Sequence, residues 1–278
     1  MKKFMSIALA LVMGLSLAAC GGGGNTAGTP ENPAETTDAP SGDNAEPAPQ
    51  SAEGKKYIIA TDTSFAPFEF DDASGNFVGV DVEILDEIAK DQGFEYEWQR
   101  LGFNAAVQAV EVNQADGVIA GMSITEDRQQ KFDFSDAYYD SGVVMGIAAT
   151  NEDIKAYEDL SGKDVAVKVG TEGASFADSL KDQYGFNVVT FDDSAMMYDS
   201  VTSGDTVACF EDFPVLGYNI SVGAKMKIVT EKEQGSAYGF AVNKGKNPEL
   251  LEMFNAGLKN LRDSGKYQEI LDKYIVTE

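Results

Sequence analysis

The chain has 278 residues, of which 43% are hydrophobic, and its formal net charge at pH 7 is −25. This length allows a sizeable core divided between two lobes, and the negative charge disfavours nucleic acid and anionic lipid headgroups as partners. The sequence contains no histidine, which excludes the usual general base, the Ser-His and Cys-His nucleophile pairs and most zinc sites. We therefore expect no catalytic residues, no metal site and no cofactor.

Residues 1–19 are predicted to be a secretory signal peptide. Two lysines precede an apolar stretch from Phe4 to Leu17 and then small residues, a pattern too short and wrongly flanked for a stable membrane span. The tetrapeptide Leu17–Cys20 resembles the lipobox of bacterial lipoproteins, which implies cleavage before Cys20 and diacylglycerol on its sulfur. The alternative is an ordinary signal peptide with a chance cysteine, and the glycine run directly after Cys20 argues against it.

Residues 20–56 are predicted to be a flexible tether between the lipid and the folded part. This segment is rich in Gly, Pro, Ala, Thr, Asn and acidic residues and has almost no large apolar side chains. Such a composition cannot bury enough apolar surface to order itself. We expect it to behave as an extended linker.

The first folded segment shows the order β-α-β-α-β, which is typical of a parallel α/β lobe. The apolar patterns predict three strands and two helices, namely Tyr57–Ala60, Val80–Gln92, Phe94–Leu101, Phe103–Val112 and Gly117–Ala120. The run TDTSFAPFEF after the first strand is predicted to be a loop, because Pro67 rules out a helix. Gly93 stands where a helix cap is expected.

A second segment repeats the order, starting after Gly142. The predicted strands and helices are Val143–Ala149, Val165–Val169, Ala174–Tyr184, Phe186–Phe191, Ala195–Thr202, Val207–Phe210, a helix with Pro214 in its first turn and Lys227–Val229. Two further helices, Pro248–Arg262 and Tyr267–Tyr274, are predicted after this segment. Cys209 lies in the apolar run VACF without a partner cysteine. It is predicted to be a small buried hydrophobe.

Two stretches are predicted to cross between the lobes and to form a hinge. The first is FDFSDAYYDSG, which ends at Gly142, and the second is Ser236–Val242. The crossings assign residues 57–140 and 239–278 to the first lobe and residues 141–238 to the second. The expected fold is therefore two α/β lobes joined by two chain crossings, with a cleft between the lobes.

The stretch from Gly121 to Arg128 carries the first candidate binding groups. It follows a buried strand and supplies a turn of small and hydroxyl residues, with Thr125 placed to cap a short helix. The Ser123 hydroxyl, the backbone N–H groups of the turn and the Arg128 guanidinium together match the geometry of a carboxylate. The alternative for Arg128 is an ordinary surface arginine.

Two other strand ends supply complementary groups. Gly170–Gly173 offers backbone N–H groups at a helix start, which suit an anion. Asp212, at the end of the VACF strand, offers an anion for an ammonium. Because strand ends in such sheets face the cleft between lobes, these groups together predict a site for an amino acid.

These residues resemble a known family. The runs ATDTSFAPFEF, GMSITEDRQQKFDFSDAYY, VAVKVGTEGASFA and DFPV are similar to those of the polar amino-acid-binding proteins of bacterial ABC importers, and the glutamine-binding members look most alike. The similarity covers Tyr57–Tyr274 and implies a two-lobed α/β fold of the periplasmic-binding-protein kind, type II. The ligand-binding residues that it implies are Asp62, Phe65, Phe103, Gly121, Ser123, Arg128, Lys168, Thr171, Glu172 and Asp212.

The resemblance also implies roles for the residues that hold the backbone of the ligand. Arg128, Ser123 and Gly121, helped by the backbone N–H of Glu172, would bind the α-carboxylate. The Gly121 carbonyl, Ser123 and Asp212 would bind the α-ammonium.

For the ligand side chain, the resemblance implies four more residues. Phe65 and Phe103 would sandwich it, although both could equally be core aromatics. Asp62 and Lys168 would reach a side-chain amide. Asp62 could instead be a turn-forming aspartate, whereas a lysine in an apolar strand is harder to explain without a binding role.

Two departures from the glutamine-binding pattern leave the ligand open between glutamine and the basic amino acids. Glu172 replaces a small residue, and Glu211 stands where similar glutamine binders carry histidine. An extra acid at the side-chain end would suit arginine or lysine. A primary amide, however, would satisfy both Asp62 and Lys168.

The function implied is an extracytoplasmic, lipid-anchored and monomeric binding protein that delivers an amino acid to permease and ATPase subunits. The chain has no phosphate-binding loop of its own. One alternative is an enzyme on the same fold, such as an amino-acid dehydratase, which would need an acid or base with a tuned pKa. Another is a sensor subunit that hands its ligand to a separate receptor.

Overall fold

The computed structural model describes residues 54–275. The predicted signal peptide, the lipidated Cys20 and nearly all of the tether therefore lie outside the described residues. Within 54–275, every helix is too short or too polar to span a bilayer.

The first lobe is built from the start of the described chain and from its end. Its first elements are β1 (Lys56–Thr61), β2 (Ser64–Phe65), β3 (Glu69–Asp71), β4 (Phe77–Val78), α1 (Val80–Gln92), β5 (Glu95–Arg100), α2 (Phe103–Glu111), β6 (Gly117–Val118), α3 (Glu126–Gln129) and β7 (Phe132–Phe134). The main sheet has the strand order β5-β1-β6, followed by a strand from the end of the chain and then β7.

The second lobe is formed by the middle of the chain. Its elements are β8 (Tyr139–Ala148), a 3-10 helix (Tyr157–Leu160), β9 (Asp164–Lys168), α4 (Glu172–Tyr184), β10 (Asn187–Phe191), α5 (Ser194–Ser203), β11 (Ala208–Asp212), α6 (Phe213–Ser221), β12 (Met226–Ile228) and β13 (Glu233–Tyr238). The sheet has the order β10-β9-β11-β8-β12, and β13 pairs with β8. The chain then returns to the first lobe through β14 (Ala241–Asn243), α7 (Pro248–Ser264) and α8 (Lys266–Tyr274).

Both sheets are mixed, so the prediction of a parallel first lobe is only partly right. Strand β1 pairs in parallel with β5 and β6, but β14 runs antiparallel to β6 and β7. In the second sheet β9 is parallel to β10 and β11, whereas β8 is antiparallel to β11 and β12. The antiparallel strands β8 and β14 both enter directly from a crossing, without the crossover helix that a parallel pair needs.

The two crossings lie side by side as a paired ribbon. Strands β8 and β13 pair antiparallel, with Tyr139 opposite Tyr238 and Ser141 opposite Ser236. The first crossing is therefore already strand at Tyr139, four residues before the predicted start at Val143. Cross-strand hydrogen bonds stiffen both connections at the point where the lobes would bend.

The prediction of a loop after β1 is wrong in part. Strands β2, β3 and β4 form a small three-stranded sheet in which Phe65 pairs with Glu69 and Phe70 pairs with Val78. The turn from Asp72 to Asn76 closes the second hairpin of this sheet, where the Asp72 carboxylate accepts from the Ser74 and Asn76 N–H groups. Runs of two or three residues are too short to show a period of two in the sequence, which is why this sheet was missed.

The helices lie close to their predicted bounds, because the apolar spacing and the capping residues indicate the same helix ends. Helix α1 spans Val80–Gln92 as predicted and ends at Gly93, whose φ of 71° is left-handed. Its buried face packs on α7 so tightly that a Cβ at Gly257 would lie 2.7 Å from Ile88 Cγ2. Cys209 is fully buried, as predicted for a small hydrophobe.

Candidate functional site

The candidate site is a cleft between the lobes, at the ends of β1, β6, β9 and β11. The free space inside the cleft is about 10 Å³, roughly the room that one water molecule needs. It is lined by Phe65, Phe103, Gly121, Ser123, Arg128, Lys168, Thr171, Glu172 and Asp212. Asp62, the remaining predicted residue, contacts Lys168. The structure thus brings together all of the residues that the sequence singled out, while their ligand roles stay predictions.

The turn after β6 is held by hydrogen bonds on its buried side. The backbone N–H of Gly121 donates to Asp81 Oδ2 at 2.8 Å. Gly121 has a left-handed φ of 53°, and a Cβ there would overlap the ring of Phe65, so the turn requires glycine. Thr125 caps α3 as predicted, because its hydroxyl accepts from the Arg128 N–H at 3.2 Å. The turn is therefore fixed before any ligand contacts it.

Arg128 reaches across the cleft. Its Nη1 donates to the Ser123 carbonyl at 2.8 Å, and its Nη2 donates to the Gly170 carbonyl of the second lobe at 3.0 Å. The guanidinium also lies 5.4 Å from the centre of the Phe103 ring. A guanidinium carries five N–H donors, so these two bonds leave capacity for a carboxylate. Arg128 thus folds back over its own loop, beside the Ser123 residue with which it was predicted to bind a carboxylate.

Lys168 and Asp62 form an ion pair between the lobes. Lys168 ends β9, Asp62 follows β1, and each residue is only 1% exposed. Asp62 Oδ1 also accepts the Thr63 N–H at 2.7 Å, and Lys168 Nζ lies 5.0 Å from the centre of the Phe65 ring. This direct contact shows that the lobes are closed. It confirms that the two groups meet across the cleft.

The start of α4 forms another part of the wall. Thr171 is the N-cap residue: its hydroxyl accepts from the Ala174 N–H at 3.3 Å and donates to the Lys168 carbonyl at 2.8 Å. Glu172 begins the helix, where free backbone N–H groups and the helix dipole favour an anion. The wall is therefore built to accept negative charge from a ligand, even though Glu172 is itself acidic.

Asp212 is held by a residue that the sequence analysis missed. It ends β11, is 5% exposed, and accepts a hydrogen bond from the Tyr238 hydroxyl. Burial, and then the nearby charge of Glu211, raise the pKa of Asp212 to about 7, while Tyr238 and Arg128 act in the opposite direction. A buried carboxylate with a raised pKa is short of positive charge, which an ammonium would supply.

The Glu211 carboxylate is hydrogen-bonded to residues of its own lobe, the second. Its Oε2 accepts from the hydroxyls of Ser194 at 2.9 Å and Tyr198 at 3.0 Å, and its Oε1 accepts the Asp212 N–H at 2.9 Å. Burial is the largest effect on its carboxyl and raises its pKa. Lys168 makes its ion pair with Asp62 and not with Glu211.

Two residues of the site lay outside the sequence prediction, Asp81 and Tyr238. Both are fully buried, and each positions a predicted residue, Gly121 or Asp212. Asp81 stands in the first turn of an amphipathic helix, where an acidic side chain is ordinarily exposed to solvent and interacts with the helix dipole. Its one sequence signal is its place between the apolar residues Val80 and Val82.

The chain belongs to the bacterial extracellular solute-binding proteins, family 3, whose profile matches residues 57–277. Among the curated relatives, the arginine-binding extracellular protein ArtP of Bacillus subtilis is 30% identical over 225 residues, which is 81% of this chain and 88% of the relative. The coarse function follows from the family. The chain is an amino-acid solute-binding protein of the ABC importer type.

Two sets of solved structures add conformational information. Substrate-binding domain 2 of Lactococcus lactis GlnP in open conformation is 42% identical, with a TM-score of 0.58 over 83% of this chain and 100% of that chain. An ancestral arginine-binding protein, solved bound to arginine and bound to glutamine, is 35% identical, with a TM-score of 0.73 over 79% of this chain and 97% of that chain. The open structure is closer in sequence but superimposes less well, which agrees with the closed cleft seen here.

Proposed function

We propose that this protein is anchored through Cys20 to the outer face of the cell membrane, captures L-glutamine and delivers it to the permease and ATPase subunits of an ABC importer. The observation that carries the choice of ligand is the buried ion pair between Lys168 and Asp62. It presents one strong donor and one strong acceptor to whatever side chain enters the cleft. The ligand would be released chemically unchanged.

The backbone groups of the ligand would meet two charged residues on opposite lobes. The α-carboxylate would lie against Arg128 and the backbone N–H of Glu172 at the start of α4. The α-ammonium would lie against Asp212, the Ser123 hydroxyl and the Gly121 carbonyl. These contacts would replace the present bonds of Arg128 to the Ser123 and Gly170 carbonyls with stronger, charge-assisted ones.

The side chain would then reach Lys168 and Asp62 between the rings of Phe65 and Phe103. The carbonyl of a primary amide accepts from Lys168 and its NH₂ donates to Asp62, so both charged groups remain satisfied. The carboxylate of glutamate would oppose Asp62. The guanidinium of arginine would face Lys168 in a dry site, where like charges repel strongly.

A second candidate is a basic amino acid. Its support is the name of the Bacillus subtilis relative, an arginine-binding protein, and the presence of Glu211 close to Lys168. Against it stands Lys168, whose ammonium would repel a cationic side chain in the same dry site. We therefore place the basic amino acids second.

A thermal-shift screen of the twenty amino acids tests the amino-acid function. The protein would be the chain without its signal peptide and with Cys20→Ser, so that it is soluble. Ligands that bind the folded form raise the unfolding midpoint, and we expect glutamine to raise it most. The Arg128→Ala variant is the control, because its midpoint should not respond. A screen in which no amino acid changes the midpoint would overturn the proposal.

A further inference from the structure

Behind the first-lobe wall of the cleft lie two buried carboxyl groups, those of Glu69 and Asp81, both fully buried. Asp81 Oδ2 accepts the Gly121 N–H and the Tyr138 hydroxyl, each at 2.8 Å. Within residues 54–275, no donor reaches Asp81 Oδ1 or either oxygen of Glu69 when both groups are counted as ionised. Buried acceptors without donors are costly, so another arrangement of protons must satisfy them.

The backbone brings these two carboxyl groups together. Glu69 lies on β3 opposite Phe65, and the Asp81 N–H, in the first turn of α1, donates to the Phe68 carbonyl at 3.0 Å. Both carboxyl groups therefore lie in the same buried region, and their three unpartnered oxygens face no donor from the described part of the chain there. Two ionised carboxylates buried in one region repel, whereas a proton on one of them can form a hydrogen bond to the other.

The surroundings assign that proton to Glu69. Asp81 has two donors that favour its ionised form, and Glu69 has none. Burial and then the charge of Asp81 raise the pKa of Glu69 well above its usual range, whereas the pKa of Asp81 rises only to about 6, mainly through burial. A proton on Glu69 would leave Asp81 charged and would allow the Glu69 hydroxyl to donate to Asp81 Oδ1.

The charge on Glu69 matters because Glu69 pairs with Phe65, whose ring centre lies 5.0 Å from Lys168 Nζ of the ion pair. The charges that act on the pKa of Glu69 are those of Asp81 from α1, Asp62 after β1 and Lys168 from β9, and the Tyr138 hydroxyl, from before β8, donates to Asp81. When Glu69 is neutral, the opposite charges of Asp62 and Lys168 cancel each other. An ionised Glu69 would add a second negative charge beside them.

We propose that neutral Glu69 is a positioning residue that sets the side-chain preference of the cleft, favouring an amide over a cation by keeping the Lys168–Asp62 pair in balance. The inference rests on the proposed side-chain site. It assigns to Asp81 the task of keeping the proton on Glu69 while its other oxygen holds the Gly121 turn.

Two nearly isosteric variants separate the effect of the charge on Glu69 from the effect of its side-chain shape. Glu69→Gln keeps a neutral donor toward Asp81, so the ratio of arginine to glutamine affinity should stay within about twofold of the parent. In Asp81→Asn the new amide donates to Glu69 and the neighbouring charge is lost, so Glu69 ionises more readily. The ratio should then rise by roughly tenfold at mildly alkaline pH and fall back on acidification.

The affinities would be measured by calorimetry on the Cys20→Ser chain without its signal peptide. Asp116→Asn is the matched control, because Asp116 also accepts a backbone N–H, that of Ile58 at 2.9 Å, but is not among the residues that line the cleft. An unchanged ratio in Asp81→Asn, or a shifted ratio in Glu69→Gln, would overturn the proposal.

A second readout does not depend on the ligand or on the folding of Asp81→Asn. With ¹³C-labelled glutamate carboxyl groups, the parent at neutral pH should show one protonated signal that Glu69→Gln lacks. Without that signal the inference is wrong. If the signal is present but the parent binds neither glutamine nor arginine, the proposed function and the specificity role both fail, and only the assignment of the proton stands.

Discussion

The Tyr238 hydroxyl donates a hydrogen bond to the Asp212 carboxylate and accepts one from the Ser141 hydroxyl at 3.0 Å. Tyr238 ends β13, the second crossing, and its backbone also forms a bridge with Ser123 in the first lobe. One residue of the hinge therefore contacts the proposed ammonium-binding groups of both lobes. Tyr238 would therefore link ligand binding to the hinge, through its hydroxyl at Asp212 and its backbone at Ser123.

Replacing Tyr238 by Phe should weaken binding of the amino acid. The change removes the neutral donor that orients Asp212 and keeps the aromatic packing, so we expect a loss of about tenfold in affinity. Calorimetry would measure it. Tyr139→Phe is the matched control, because Tyr139 stacks on Tyr238 with ring centres 5.9 Å apart but belongs to the opposite strand. Equal effects of the two substitutions would show that packing, and not the hydrogen bond, supports binding.

Affinity should depend on pH through Asp212. Its pKa in the free protein is raised to about 7, and the ligand ammonium favours the ionised carboxylate. Below pH 7 binding must therefore release a proton, so affinity should fall with decreasing pH by up to about tenfold per pH unit. Calorimetry in buffers of different ionisation enthalpy would detect the released proton.

Glu211→Gln provides the comparison for this pH dependence. Removing the charge of Glu211 lowers the pKa of Asp212, while the glutamine carbonyl can still accept the Asp212 N–H. The fall in affinity should then begin at lower pH. Affinity that stays constant across this range in the parent protein would contradict the proposed role of Asp212.

Gly121→Ala should weaken ligand binding much more than an alanine substitution at a glycine outside the cleft. The new methyl group would overlap the Phe65 ring, in addition to the backbone strain of a left-handed φ. Gly245→Ala carries a similar strain, with a φ of 69°, but its Cβ would meet nothing within 4 Å. We expect calorimetry to show roughly tenfold or greater loss of affinity for Gly121→Ala and little for Gly245→Ala. Equal affinities of the two variants would place the ligand away from this turn.

Cys20→Ser should release the protein from the membrane and leave ligand binding intact. The reason is the resemblance of Leu17–Cys20 to a lipobox, followed by a segment suited to a tether. Fractionation of cells that produce each form would measure the distribution. If the variant stayed with the membrane fraction, another anchor would have to be sought.

The sequence predicted the parts of the fold that depend on local patterns. Helix α1 was predicted residue for residue, because its apolar spacing and its closing glycine point to the same bounds. The ends of β9 and β11 placed Lys168 and Asp212 at the cleft, since strand ends of an α/β sheet share one edge. A charged residue at the end of an apolar strand was thus a correct indication of the cleft.

What escaped prediction depends on contacts between distant segments. Asp81 and Gly121 are forty residues apart, and Tyr238 and Asp212 are twenty-six apart, so no local pattern indicates either hydrogen bond. The short sheet of β2 to β4 escaped for a different reason, because its strands are too brief to show periodicity. Positioning residues are therefore the part of such a site that requires a structure.

The most direct test of the proposed ligand is a competition titration between glutamine and arginine on the Cys20→Ser chain without its signal peptide. If the Lys168–Asp62 pair selects an amide, arginine should displace bound glutamine only at a concentration at least about tenfold higher. Displacement of glutamine by arginine at equal concentration would contradict this account and assign the cleft to a basic amino acid.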